Sequence, residues 1–295
     1  MEKRITEKED IRKIRLELKK EHKKLKIRKF CKNKSAMIGG SITILMILLA
    51  VISPIFAADP VEIDMVSRLL SPGISHWFGT DNFGRDLFSR VTNGARISIG
   101  VGAVVCILTL AFGMITGLLA GYYSRLDNLL MRICDGLKAI PNLLLAIALM
   151  AVLGASVRNV IIALVVVHTP DIARITRSAA LVVKEQIYIE AMRALGAKPG
   201  LIILRHIAPN VLSPVIVQIS FIFAKAIVIE ASLSFLGAGV PAPAPSWGNI
   251  LADGKELIYN APWMVVFPGV FMALTVLGLN LFGDGLRDVL DPMTN

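Results

Sequence analysis

From Ala36 to Ala57 the chain carries no charged residue. A run of about 20 mostly apolar residues is what a helix needs to cross a ~30 Å hydrocarbon core. Further apolar runs lie at 97–121, 139–157, 159–173, 211–231 and 264–283. Only 18% of the 295 residues are charged and 55% are hydrophobic, whereas a soluble domain averages about a quarter charged and roughly 45–50% apolar. The runs therefore imply an all-α polytopic membrane protein.

Five of these runs read directly as spans. The fourth is short and ends in His168, Thr169, Pro170 and Asp171. Charge asymmetry decides its place, because loops on the cytoplasmic side carry the Lys/Arg excess near span ends. Residues 1–35 hold 15 Lys/Arg, which puts the N-terminus inside. With six spans, segments 122–138 and 174–210 also fall inside, the second with Arg174, Arg177, Lys184, Arg193, Lys198 and Arg205. Without the fourth span those six charges would lie outside. Six spans with both termini cytoplasmic is the expected topology.

The expected organisation is a basic cytoplasmic arm over 1–35, a first span at 36–58, an extracytoplasmic loop at 59–96 and a core at 97–295. The first run has the basic flank of a signal peptide, but the preceding arm is too long and the run itself spans a bilayer. Cys31, Cys106 and Cys134 have no paired spacing, and the four histidines form no ligand set. Neither a disulfide nor a metal site is expected. The Pro-rich stretch GVPAPAPSWG (239–248) reads as a stiff loop.

EAMRALGAKPGLIILRHIAPN, residues 190–210, is polar and broken between two apolar runs. Ile187, Ala191, Ala194 and Leu195 recur at helical spacing. Gly196 suits a helix C-cap, where a left-handed conformation meets no Cβ penalty, and Pro199 suits the first turn of a second helix. Leu201, Leu204 and Ala208 share a face of that second helix, which Pro209 is expected to end. Two short helices at an angle make an elbow that can sit in a partner's socket.

This segment resembles the EAA loop of ABC-importer permeases: Glu-Ala-Ala, three residues, Gly, nine residues, Ile-x-Leu-Pro. Glu190, Ala191, Gly196 and Pro209 fall on its register, while Met192, His206 and Ala208 depart from it. His206 to Asn210 is similar to the variant of the peptide/nickel permease group. FGTDNFGRDLFSR (78–90), GARISIG (94–100), ASLSFLGAGVPAPAPSWG (231–248) and NLFGDGLRDVLDP (280–292) resemble further signatures of that group, so the likeness covers about 36–295. It implies a type I importer permease fold, with Glu190, Ala191, Gly196, Pro199, His206 and Pro209 in a coupling loop over 187–210. It also implies the C-type permease of a heterodimer with a sister permease, two cytoplasmic ATPase subunits and an extracellular or periplasmic substrate-binding protein. The expected site is the cytoplasmic membrane of a bacterium or archaeon. Peptides are the leading substrate class, with nickel or a metal chelate as the alternative.

No G-x-x-x-x-G-K-[ST] occurs, since Gly254-Lys255 is followed by Glu256. Without that phosphate-cradling loop, Mg-ATP is expected on the partner ATPases and no cofactor on this chain. Nor is there a nucleophile–base set, so the chain is not expected to be an enzyme, and no nucleic-acid partner is expected. A self-contained channel or secondary transporter would place coupling carboxylates or a repeat within the spans, and neither is visible. Two ionisable residues do lie in the fifth run. Lys225 and Glu230 are candidates for the translocation path or the permease–permease contact, because a charge at mid-bilayer costs about 2.5–3.5 kcal/mol on insertion scales. At five residues apart, about 140° around a helix, they do not share a face, and Glu230 is near enough to the outer end to reach water or cap a loop.

Overall fold

The structure, a computed structural model, describes residue 21 and residues 28–56 and 58–290. The arm expected over 1–35 lies for the most part outside the described residues. From Lys34 onward ten α-helices follow in order among those residues: α1 Lys34–Phe56, α2 Leu87–Tyr122, α3 Ser124–Lys138, α4 Asn142–Leu153, α5 Val157–Lys184, α6 Ile187–Ala194, α7 Pro199–Ile202, α8 Ala208–Phe235, α9 Trp247–Lys255 and α10 Trp263–Leu290. A π turn, Ile203–Ile207, joins α7 to α8. The only extended pairing among the described residues is an isolated bridge between Thr80 and Asp86.

Five helical stretches are long and apolar enough to cross a membrane: α1, α2, α5, the α7–α8 rod and α10. The sixth is a bent pair, α3 and α4, with a 92° bend between them. Here the third and fourth runs exchange roles relative to the sequence reading. The third gives only the 12-residue α4, about 18 Å long. The fourth gives the 28-residue α5, which continues through Pro170. Its lower hydropathy has a physical reason: more than half of its most apolar window is buried against protein, so it needs fewer lipid-facing side chains. Helix α2 likewise begins at Leu87, ahead of the apolar run, because Asp86 caps it by accepting from the Ser89 amide at 2.8 Å.

Helices α2 and α5 pack through a row of glycines at four-residue spacing: Gly113, Gly117 and Gly121. A Cβ at Gly113 would meet Ile172 Cβ at 2.5 Å, and one at Gly117 would meet the Ala173 carbonyl oxygen at 2.5 Å. A Cβ at Gly121 would meet Ala180 Cβ at 2.8 Å. With no hydrophobic force between helices in lipid, such close backbone approach supplies the packing. Ala173 and Ala180 are fully buried in this seam.

At one end of the bundle, residues 58–86 and α9 form a cap. Asp81, 1% exposed, accepts from Arg85 Nε at 2.6 Å and lies within ion-pair distance of Arg90 Nε, at 3.3 Å. Both guanidinium groups also reach Asp253 of α9, at 3.4 and 3.3 Å. Burial holds the Asp253 carboxyl above the usual carboxylate range, against the opposing pull of Arg90 and Arg85. Trp247 donates from its indole to the Val91 carbonyl (3.0 Å) and Trp263 to the Thr80 carbonyl (3.1 Å), tying the cap to α2 and α10.

The glycine seam yields a stability prediction. Gly117→Leu should cost about 1–3 kcal/mol by overpacking, read as a lower thermal midpoint of the purified protein in detergent. Gly136→Ala, where a Cβ meets no atom within 4 Å, should leave the midpoint unchanged. Equal midpoints for the two variants would show that the seam tolerates bulk.

Candidate functional site

The broken segment folds as an elbow at the opposite end of the bundle from the cap. Helix α6 ends in a Schellman motif: the Gly196 amide donates to the Arg193 carbonyl at 2.9 Å and the Ala197 amide to the Met192 carbonyl at 3.0 Å. Gly196 has φ +77°, the conformation that the sequence reading requires of it. Pro199 sits in the first turn of α7, also as expected.

Two expectations about the elbow need correction. Pro209 does not end the second helix. The chain runs as one rod from Pro199 to Phe235, and the wider π turn before Pro209 carries the irregularity: the Ala208 amide reaches back to the Ile203 carbonyl. Proline's missing amide is cheapest at such a junction, where the regular bonding pattern already shifts. The apolar face also differs. Ile189, Ile202, Ile203 and Ile207 are the inward residues, packed on Leu118, Ala180 and Val211. Of the residues assigned to the faces by spacing, Ala208 packs on this cluster, whereas Ile187 is 84% exposed, Leu195 87% and Leu204 73%.

The elbow is fixed to its base by cations. Lys184 Nζ donates to the Tyr122 carbonyl at 2.9 Å and to that of Gly121 at 3.3 Å, capping the orphan carbonyls at the end of α2. Arg193 lies 5.2 Å from the Tyr122 ring centroid. Asn210 donates to the His206 carbonyl (2.6 Å) and to Tyr188 Oη (3.4 Å), linking α6 to the start of α8. Glu190, Ala191, Gly196, Pro199 and Pro209 are exposed, and His206 is half-buried. Lys184 and Arg193 entered the sequence reading only as part of the basic excess of 174–210, and Tyr122 not at all, since their contacts join distant segments without a local pattern. Arg177 pairs with Asp127 through both guanidinium branches, and Arg174 meets Asp135 at 2.6 Å, which holds α3 against α5.

The two ionisable residues of α8 have opposite surroundings. Glu230 is fully buried within this chain. The Ser98 hydroxyl donates to one carboxyl oxygen and the Ser234 hydroxyl to the other, each at 2.8 Å. The Val240 amide donates to the Ser234 oxygen (3.0 Å) and the Trp247 amide to the Ser98 oxygen (3.4 Å). Glu230 thus fastens the Pro-rich loop to α2 and α8, which is why it tolerates so apolar a helix. Lys225 is exposed, with no hydrogen-bond or ion-pair partner among the described residues.

Removing the Glu230 carboxyl should orphan two buried hydroxyls, at about 1–3 kcal/mol each. Glu230→Ala should therefore lower the thermal midpoint and open residues 236–246 to protease, with Glu230→Gln milder in both. A Glu230→Ala protein as stable and protease-resistant as wild type would remove the clamp from the account.

Comparison with known proteins agrees with this geometry. The model for the binding-protein-dependent transport system inner membrane component matches residues 109–295, and that for the N-terminal TM domain of oligopeptide transport permease C matches residues 24–72. The dipeptide transport system permease protein of Alkalihalophilus pseudofirmus is 46% identical over 88% of this chain and 86% of its own length. The oligopeptide transport system permease protein of Bacillus subtilis is 42% identical over 90% and 87%. The glutathione transport system permease protein of Escherichia coli is 44% identical over 90% and 88%. Among solved structures, an inward-facing form of the MetNI methionine ABC transporter matches 68% of this chain and 96% of its own, with TM-score 0.57 at 20% identity, which shows a shared fold. The family model over residues 109–295 and three relatives at 42–46% identity over most of the chain show that the chain belongs to the binding-protein-dependent transport system inner membrane components.

Proposed function

We propose that this chain is one permease subunit of an ATP-driven importer of peptides. It pairs with a sister permease, receives cargo from a binding protein and is driven by separate ATPase subunits on the cytoplasmic side. The observation that carries this reading is the elbow. Ile187, Leu195 and Leu204 are large apolar side chains left exposed on a segment otherwise packed on α2, α5 and α8, and Glu190, Lys198 and Arg205 are exposed in the same segment. Exposed apolar side chains among polar ones are a mark of interaction sites. The relatives that carry dipeptide, oligopeptide and glutathione transport in their names support peptides as the cargo.

Orientation follows from charge. The elbow end carries Lys184, Arg193, Lys198 and Arg205 and the basic residues after α2, and this Lys/Arg excess supports placing that end in the cytoplasm. The cap of 58–86 and α9 then faces outward, where a binding protein would dock.

Two outcomes test the reading. The purified chain should neither bind nor hydrolyse ATP, measured by nucleotide binding and phosphate release. Activity free of contaminating ATPase would contradict it. Gly196→Val should cost on the order of 1–3 kcal/mol of local strain at a positive φ. A Cβ there meets no atom within 4 Å, so the effect is confined to the backbone and membrane insertion should be normal. Co-purification of the ATPases and peptide uptake by the reconstituted complex should both fall, with Gly196→Ala milder. Wild-type uptake by Gly196→Val would reduce the elbow to a connector.

A further inference from the structure

Not every exposed face of the bundle suits lipid equally. On α1 the exposed side chains include Ile38, Ile44, Leu45, Leu48, Val51 and Ile55, an apolar surface apart from Ser41 and without a charge from Ala36 onward. The exposed side of α2 shows Val104, Ile107, Phe112 and Ile115. Helix α8 is different. Gln218, Lys225 and Ser232 recur every seven residues, so they fall along one stripe of the helix, and none of the three is buried. Lys225 is about 15 Å along the helix from Phe235 and further from the elbow, well inside the apolar length.

A lysine at that depth without an acid, hydroxyl or carbonyl partner needs water or a partner outside this chain. The stripe runs at its elbow end into a groove of about 710 Å³ between α5, α8 and α10, lined by Ile175, Asn210, Ser213, Gln218 and Arg287 among others. Arg287 is exposed. Groove and stripe together present two cations and no acidic residue, and Asp284 and Asp288 of α10 lie outside the groove lining. That charge pattern repels a bare divalent cation and complements a carboxylate.

We propose that Lys225, with Gln218 two turns away on the same stripe, is a way-station for the C-terminal carboxylate of a peptide passing through the membrane, and that Arg287 attracts the same group nearer the cytoplasmic exit. This rests on the peptide-importer reading. Lys225 is the charged donor, a charge-assisted partner stronger than a neutral one. Gln218 supplies an amide one heptad away. No conformational strain or bond chemistry is involved.

The test uses the complete importer in proteoliposomes with tri-alanine as cargo. Lys225→Met should lower tri-alanine uptake about tenfold, equivalent to ~1.4 kcal/mol, with wild-type recovery of the permease pair. Lys225→Arg should stay near wild type. C-terminally amidated tri-alanine should enter the wild type and Lys225→Met at equal rates, and a matching tenfold loss for the amide would overturn the carboxylate role. A thiol at this position, from Lys225→Cys in a chain with Cys31, Cys106 and Cys134 changed to Ala, should react with a water-soluble maleimide in the assembled complex. Wild-type uptake by Lys225→Met overturns the proposal. So does an unreactive thiol with poor recovery of the pair, which would assign Lys225 to the sister-subunit contact. A wild-type complex that imports no tri-alanine would instead overturn the peptide reading on which this rests.

Discussion

The close approach of α2 and α5 organises the rest of the molecule. With no side chain at Gly113, Gly117 and Gly121, the two backbones meet directly, and packing of this kind is what holds helices together where lipid is as apolar as the side chains. The contact places α5 among protein rather than lipid, so α5 can keep His168, Asp171, Arg174 and Arg177 along its length. Asp171 meets Lys138 at 2.8 Å at the α3–α4 bend, and Arg174 and Arg177 hold α3. The bent pair is therefore mounted on α5, and α5 is mounted on the glycines. The same seam brings Lys184 to the end of α2, where it caps the carbonyls that the elbow's base leaves open.

Polar groups within apolar helices are handled in two ways, and the contrast assigns them. Glu230 is surrounded by hydroxyls from two helices, with amides of the cap completing the network, so its polarity serves to fasten one part of the chain to another. Lys225, on the same helix, has none of this. A buried polar group that is fully satisfied reads as architecture, while the exposed, unpartnered Lys225 is the observation on which the proposed way-station rests.

Much of this was legible in the sequence where the signal is local. Gly196 needed only its own conformation, and its φ is positive as expected. Pro199 needed only a first turn. The six apolar runs correspond to helical stretches, but their lengths did not follow from hydropathy. An inner helix such as α5 is less apolar because protein replaces lipid around it, while α4 is apolar yet short. The elbow's inner face escaped because spacing gives periodicity and not direction. Ile187 and Leu195 share a face, but Ile189, Ile202 and Ile207 find the bundle. Glu230's serines were invisible for a simpler reason: Ser98 is brought to it from another helix, and no window of sequence contains both.

The rod from Pro199 to Phe235 joins the two ends that matter. It spans 37 residues, roughly 55 Å at 1.5 Å per residue. Its lower end is half of the elbow, its middle carries Lys225, and near its upper end Glu230 grips the loop that leads to α9. A stiff helix delivers a displacement at one end as a tilt at the other, and the rod has one irregular segment, the π turn at Ile203–Ile207. That turn carries Leu204 of the elbow and leads into the apolar length of the rod, where a change of angle is least costly to backbone hydrogen bonding. The Glu230 clamp is at the far side of Lys225 from it. A tilt about the π turn would therefore move Lys225 and the outer loop together, because the same helix carries the first and is bonded to the second.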